Sequence, residues 1–375
     1  MKIAIEAQRI FRRKKHGMDF VALELIRMLQ KIDTQNEYYI LVASGNDKCL
    51  TSKGNFQVVE VGGTSNYFLW EQWLLPRALK RIKPDVVHCT SNTAPLHCPY
   101  PLVLTLHDII FLEKKIGKNV SPYQNLGRIY RRFVVPRVVF QARHVITVSD
   151  YERRRIQEGL PSASGKIATV YNGVGVEFQV IQKPDSIVYK YIQDRGYWFL
   201  LGNTDPKKNL KRTLQAYAGY VSLSVSPRPL LIADLDSQHL DAILQEAGIA
   251  GIRSLLYVPG YISHDDLPYV YNGAFAFLYP SLRESFGLPV LEAMGCGTPV
   301  VTSNTSALPE VAGTRALMAN PESVGAITEM MIRLEESVDL QKAQIEYGVG
   351  RAKEFSWENT AKRTLEIYKS VSQHG

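Results

Sequence analysis

Short apolar runs rich in β-branched residues punctuate the chain: IAIEA at 3–7, YYILVA at 38–43, FQVVEV at 56–61, DVVHC at 85–89, LVLTL at 102–106, HVITV at 144–148 and IATVY at 167–171. Between several of them apolar positions recur at helical spacing, as in 19–31 (Phe20, Leu23, Leu25, Ile26, Leu29) and 122–142. Strands that are apolar throughout are covered on both faces, so with intervening amphipathic helices they predict a mainly parallel, doubly wound sheet. The same grammar restarts at WFLLG (198–202) and runs through PLLIAD (229–234), LLYVPG (255–260), AFAFLYP (274–280) and PVVTS (299–303). Two Rossmann-like α/β domains follow. The pattern lapses near 173–187, which gives expected boundaries of 1–175 and 176–355; a last segment, 356–375, forms a helix entered at Ser356 that returns to the first domain. Ligands of open α/β sheets bind beyond the carboxyl ends of the strands. Two such domains facing each other enclose a central cleft, a favoured ligand site.

A length of 375 residues agrees with two domains and excludes a peptide hormone, a disulfide mini-protein or a single small binding module. The four cysteines form no C-x-x-C pair and have no zinc-like His spacing. Lys2, Glu6 and Arg9 interrupt what would be a signal-peptide core, and no run approaches the ~20 apolar residues of a membrane span. A reduced cytoplasmic chain is expected, meeting a membrane only peripherally, on its inner face. The net charge of +8 is uneven: 26 basic and 15 acidic residues up to 180, then 18 and 21. The excess gathers in Arg12–Lys15, in Arg128, Arg131, Arg132 and Arg137, and in Arg153–Arg155. Such runs are commonly solvated faces; their confinement to one half favours a face for an anionic partner.

The densest chemical signal is YPSLRESFGLPVLEAMGCGTPVVTSNTSALPEVAG at 279–313. Seven residues separate Glu284 from Glu292, with Ser285-Phe286-Gly287 leading into a helix near Leu288. Such an entrance offers unpaired N–H groups and a positive dipole end to an anion, and Gly287 lets phosphates approach. Glu292, one turn in, suits a ribose diol, and Glu284, before the helix, suits a hexose hydroxyl.

This segment resembles the E-x7-E signature of retaining glycosyltransferases of family GT4, which have the GT-B fold. The resemblance runs along most of the chain through HD at 107–108, VSDYERR at 148–154, VYNGV at 170–174, GNTDPKKNL at 202–210, PGYISHDDLPYVYNGAFAFLYPSL at 259–282 and FSW at 355–357. Its K-N-L variant is most similar to mannosyltransferase and rhamnosyltransferase-like enzymes of O-antigen and surface polysaccharides. The resemblance implies a metal-independent hexosyltransferase with no cofactor. Its donor would be a GDP- or UDP-linked sugar, its acceptor a glycan or a polyprenyl-diphosphate-linked sugar. Glu284 and His107 would serve catalysis at the donor hexose. Ser285, Phe286, Gly287, Leu288, Glu292, Asn203, Lys207 and Lys208 would bind the donor, with Lys208 neutralising its diphosphate. Asn203 stands where many members carry Arg. Gly17 and Met18 match the first β–α loop, on the acceptor side. The basic N-terminal domain would then face an anionic membrane.

Other features carry less. Asp234-Leu235-Asp236 is a D-x-D at a strand end, read as a turn-ordering pair rather than a metal site. Tyr67, Phe68, Trp70, Trp73 and Leu74 form an aromatic stripe whose helical spacing favours burial over a membrane wedge. The enzymatic rivals are a nucleotide-sugar epimerase and a glucan phosphorylase of the same fold. The non-enzymatic rival is a nucleic-acid binder, for which no zinc module, RNA-recognition signature or basic helix with paired aromatics is present.

Overall fold

The computed structural model describes residues 1–13, 15–62, 64, 66–113, 122–182, 185–194 and 196–373; Lys14 of the first basic run lies outside them. The chain divides into two units, Met1–Gly173 with the segment from Trp357, and Val174–Ser356. Unit 1 holds a parallel seven-stranded sheet of β1 (Lys2–Glu6), β2 (Glu37–Val42), β3 (Phe56–Glu60), β4 (Val86–Cys89), β5 (Leu102–Thr105), β6 (His144–Thr147) and β7 (Ile167–Thr169), in the order β3-β2-β1-β4-β5-β6-β7. Unit 2 holds a parallel six-stranded sheet of β8 (Tyr197–Leu201), β9 (Leu230–Ala233), β10 (Leu256–Gly260), β11 (Ala274–Tyr279), β12 (Val300–Ser303) and β13 (Leu317–Ala319), in the order β10-β9-β8-β11-β12-β13. Both units are thus doubly wound α/β.

The period-two geometry of a strand distributes each apolar run between two cores. In unit 1, Ile3 and Ile5 join Ile26, Tyr38 and Val86 on one face, while Ala4 joins Val87, Leu104 and Val138 on the other. In unit 2, Trp198 and Leu200 pack with Tyr217 and Ile327, and Phe199 packs with Phe277 and Val290 on the opposite face.

Three local readings are sharpened. Strand β13 has no sequence forecast, because three residues are too few for a periodic signal. The aromatic stripe is not uniformly buried: Trp70 is 1% exposed and Trp73 63%. Residues Trp70–Leu74 form a π-helical turn, whose wider winding breaks the i, i+3, i+4 phase assumed for that stripe. Asp236 caps the Ser237–Ala247 helix by accepting from His239 N–H at 2.9 Å, and Asp234 makes the turn at φ 59°.

The Trp357–Gln373 helix buries Thr360, Thr364 and Tyr368 within unit 1. Tyr368 Oη lies 2.6 Å from His88 Nδ1, and His88 Nε2 lies 2.7 Å from Thr105 Oγ1. Burial drives the His88 pKa down to about 3, so the ring is neutral and each nitrogen has one hydroxyl partner. Tyr368→Phe strands Nδ1 in the core and should cost about 1–3 kcal/mol in denaturant unfolding. Stability should also fall as pH drops from 6.5 toward 3, because there only the unfolded chain protonates this histidine.

Candidate active site

In unit 2 the strand order reverses between neighbours β8 and β11, so the loops leaving their carboxyl ends part and open a crevice. Gly202 follows β8 so closely against β9 that a Cβ there would meet Ile232 Cγ2 at 2.6 Å. The two loops are sewn together beyond this point. Leu282 N–H donates to the Lys207 carbonyl at 2.8 Å. Asn209, left-handed at φ 60°, donates its amide to the carbonyls of Pro280 at 2.9 Å and Pro321 at 2.6 Å.

This stitching brings Lys208 against Glu284. The Lys208 ammonium donates to Glu284 Oε1 at 2.7 Å and to Tyr279 Oη at 2.6 Å, and Tyr279 O–H donates to the same carboxylate oxygen at 3.0 Å. The two charged side chains are only 17% and 12% exposed. Burial first, then the carboxylate, raises the Tyr279 pKa well above that of a free phenol, so it stays a donor. An ammonium and a carboxylate so shielded depend on each other. A ligand offering a negative charge to one and a hydroxyl to the other can take over both roles.

Glu284 N–H is held by Ser306 Oγ at 3.1 Å. Gly287, with φ 110°, then caps the Leu288–Gly295 helix. A side chain there would be strained and would put its Cβ 2.7 Å from Leu308 Cδ2. Phe286 is buried edge-on against Phe355, which fixes the backbone at the helix entrance. Ser285 and Leu288 are partly exposed beside it. Glu292, inside the helix, accepts from Tyr271 O–H at 3.3 Å. Burial pushes its pKa up to about 7, and Glu177 adds to the rise.

The other candidates of this unit are differently engaged. Asn203 Oδ1 accepts from Asp205 N–H at 2.9 Å, an Asx turn, and Lys207 Nζ lies 3.5 Å from Asp205 Oδ2. Lys208, not Lys207, thus faces Glu284. Tyr279, Tyr271, Asn209 and Ser306 were not anticipated. Tyr279 and Tyr271 could have been suspected, since a tyrosine closing a buried strand or helix needs a partner for its hydroxyl; Asn209 and Ser306 act through tertiary contacts that leave no pattern.

In unit 1, His107 is buried after β5. Its backbone N–H donates to Asn92 Oδ1 at 2.6 Å, and Nε2 donates to the Thr90 carbonyl at 3.0 Å. Burial lowers its pKa, so the neutral ring presents Nδ1 as an acceptor. Gly17 opens the Gly17–Ile32 helix with open space around its missing Cβ, and Met18 follows, half-buried. A buried polar network at the carboxyl ends of β1 and β4 was not anticipated. Glu6 accepts from Gln8 N–H at 2.9 Å and Thr90 N–H at 3.3 Å, with its pKa pushed up to about 7 by burial. Tyr67 donates to Glu71 at 2.6 Å beneath the Arg9 guanidinium, 5.0 Å from the ring centre. The signal was Glu6 itself, a carboxylate directly after the apolar run Ile3–Ile5.

The Glu292 shift has a measurable consequence. Unfolded, this carboxyl titrates near 4.5; folded, near 7. The native state binds the extra proton in between, so its contribution to stability is lost as pH rises through that window. Glu292→Gln should therefore be more stable than the parent at pH 8 by up to about 3 kcal/mol, a difference that shrinks toward pH 4.5. Urea unfolding at both pH values, without ligand, checks this.

Residues 189–351 match the family model described as Glycosyl transferases group 1, and residues 16–178 match that of Glycosyltransferase Family 4. O-antigen chain mannosyltransferase B of Escherichia coli is 33% identical over 297 residues, 78% of this chain and 76% of that protein. Serotype-specific mannosyltransferase WbdA of Escherichia coli is 29% identical over 315 residues, 79% of this chain; the match covers 38% of that longer protein. A sucrose-phosphate synthase from Thermosynechococcus elongatus has the same fold, with a TM-score of 0.78 at 17% identity over all of both chains. Anabaena HepE in complex with UDP aligns with a TM-score of 0.74 at 16% identity, covering 99% of this chain and 100% of that one. With both units matched, and a relative one-third identical over three quarters of each chain, this protein belongs to glycosyltransferase family 4, with the GT-B fold, and is a glycosyltransferase.

Proposed function

We propose that the enzyme transfers mannose from a GDP-linked donor to a glycan or lipid-linked acceptor of surface-polysaccharide assembly, with retention of configuration and without a metal ion. The sugar is supported by the mannosyltransferase relatives. The chemistry is supported by one observation above all: the shielded Lys208–Glu284–Tyr279 cluster at the carboxyl ends of β8 and β11, beside the Gly287-capped helix.

In this reading Glu284 accepts from a hexose hydroxyl, and the backbone of Ser285, Phe286, Gly287 and Leu288 meets sugar and diphosphate. Glu292 accepts from the ribose, while Asn203 and Lys207 border the donor. Lys208 supplies the cation that a metal supplies elsewhere. As the anomeric C–O bond to phosphate breaks, its electrons pass to the diphosphate, whose growing charge the ammonium stabilises. The acceptor oxygen bonds the anomeric carbon on the same face, and its proton goes to the departing phosphate. His107 offers Nδ1 to a sugar hydroxyl, and Gly17 and Met18 belong to the acceptor side.

A thermal-shift panel of GDP, UDP, ADP and their sugars, followed by donor hydrolysis, tests the donor. GDP and GDP-mannose are expected to raise the melting point most; stabilisation by UDP-sugars alone overturns the mannose assignment. Lys208→Ala and Glu284→Gln should each lower turnover by about 10²–10³. Near-parental turnover in either folded variant removes that residue from the chemistry. Activity should persist in EDTA, and a loss restored by magnesium overturns the metal-free reading.

A further inference from the structure

Along a nucleotide-sugar the groups run hexose, diphosphate, ribose, base. With Glu284 and Lys208 at the first two and Glu292 at the third, the base falls beyond Glu292. Two further elements of unit 2 meet there. The segment 175–180 is laid against the Leu288–Gly295 helix: a Cβ on Gly295 would meet the Phe178 carbonyl at 2.5 Å, and one on Gly297 would meet Val180 Cγ2 at 3.1 Å. The loop 261–266 leaves the carboxyl end of β10 and enters the Leu267–Gly273 helix, which carries Tyr271 to Glu292.

Phe178 ties the two elements together, its ring edge-on to His264 at 5.4 Å and to Tyr271 at 6.1 Å between centroids. His264 Nε2 lies 3.8 Å from Glu177 Oε1. Glu177 folds back over its own segment, where a side chain on Gly175 would collide with its carboxylate. Its charge reaches Glu292 and Cys296. The Glu177 side chain is nevertheless 49% exposed, and Tyr261, the first residue past β10, is 64% exposed. Next to the expected ribose there is thus an accessible carboxylate braced by a histidine, with an exposed aromatic ring three residues before that histidine. Glu177 and Glu292 repel a phosphate from this place and favour a neutral ring that donates N–H.

We propose that Glu177 reads the base of the donor and selects guanine, its carboxylate accepting from N1–H and from the 2-amino group, with Tyr261 against the face of the ring. Guanine alone among the common bases sets two donors side by side on its pairing edge, which suits an acceptor-only carboxylate with two oxygens. Uracil places one N–H between two carbonyl oxygens, which a carboxylate repels. Adenine and cytosine place an amino group beside a bare ring nitrogen. His264 and Gly175 hold the carboxylate in its pose and are positioning residues. The inference rests on the donor reading above and deepens it, because it derives a preference for GDP from residues of this chain.

Titration calorimetry of the full chain with GDP, IDP and UDP tests it, IDP being GDP without the 2-amino group. The parent is expected to bind GDP about tenfold or more tightly than IDP, the effect of one charge-assisted hydrogen bond. Glu177→Gln should weaken GDP by about tenfold or more, bring GDP and IDP close to equal, and leave UDP unchanged. Gly175→Ala, which displaces the carboxylate while keeping it, should act in the same direction. Tyr261→Ala should weaken GDP and IDP alike. A parental ratio of GDP to IDP affinity in folded Glu177→Gln overturns the proposal. So does an equal loss of all three nucleotides, which would place Glu177 on the ribose or diphosphate, and so does a parent that prefers UDP. Those outcomes leave the donor reading standing, whereas a parent that binds no nucleotide diphosphate sinks that reading and this inference together.

Discussion

A parallel strand covered on both faces admits a polar side chain only where a buried partner meets it, as Tyr368 and Thr105 meet His88, and this constraint organises the whole molecule. Every side chain of β4, β5 and β12 is buried. Reactive groups are displaced to the carboxyl ends of the strands, where the chain leaves the sheet and backbone groups need partners other than a ladder. Lys208, Tyr279 and Glu284 stand at such ends in unit 2, and Glu6, Thr90 and His107 in unit 1. The reversal of strand order decides which ends are open: β8 and β11 are neighbours, but their loops lead to opposite sides.

Within that crevice the shielded ion pair sets the energetics. Removing a carboxylate and an ammonium from water is costly, and their attraction offsets the cost only while both remain and are hydrogen-bonded. Tyr279 supplies the extra hydrogen bonds, and Asn209 and Ser306 hold the two loops where the pair can form. A pair of this kind is exchangeable in principle, because an anion can satisfy the ammonium and a hydroxyl the carboxylate. Preorganisation of this kind keeps the cation from reorienting when charge develops on a leaving group.

The strands were legible because burial on both faces writes itself as uninterrupted apolar runs, and the helix entrance because Gly287 and Pro289 punctuate it. Glu284 and Glu292 were legible as a spacing and Lys208 as part of a resemblance, but their partners were not. Tyr279 closes β11 as one more aromatic residue in AFAFLYP, and only the fold shows its hydroxyl between two charges. The Asn209 contacts with Pro280 and Pro321 bridge 71 and 112 residues, a range at which local pattern is silent. Trp73 was misplaced for the opposite reason. Local pattern spoke, but a π-helical turn changed the angle per residue on which it relied.

The net charge of +8 conceals two different uses of cations. In unit 2, where residues 174–356 carry 15 basic and 20 acidic side chains, the Lys208 ammonium is shielded, oriented and matched to a carboxylate. Specificity for one anion requires this, since an unshielded lysine attracts any anion weakly and is screened by salt. On the Pro122–Gln141 helix four guanidinium groups share one element that carries no acidic residue, and Arg128 and Arg137 are held by the Phe111 and Phe133 carbonyls rather than by a carboxylate. Distributed charge of that kind orients a surface but selects no molecule. A spread field of that kind attracts anions without selecting among them, whereas in unit 2 the geometry matches one cation to one carboxylate.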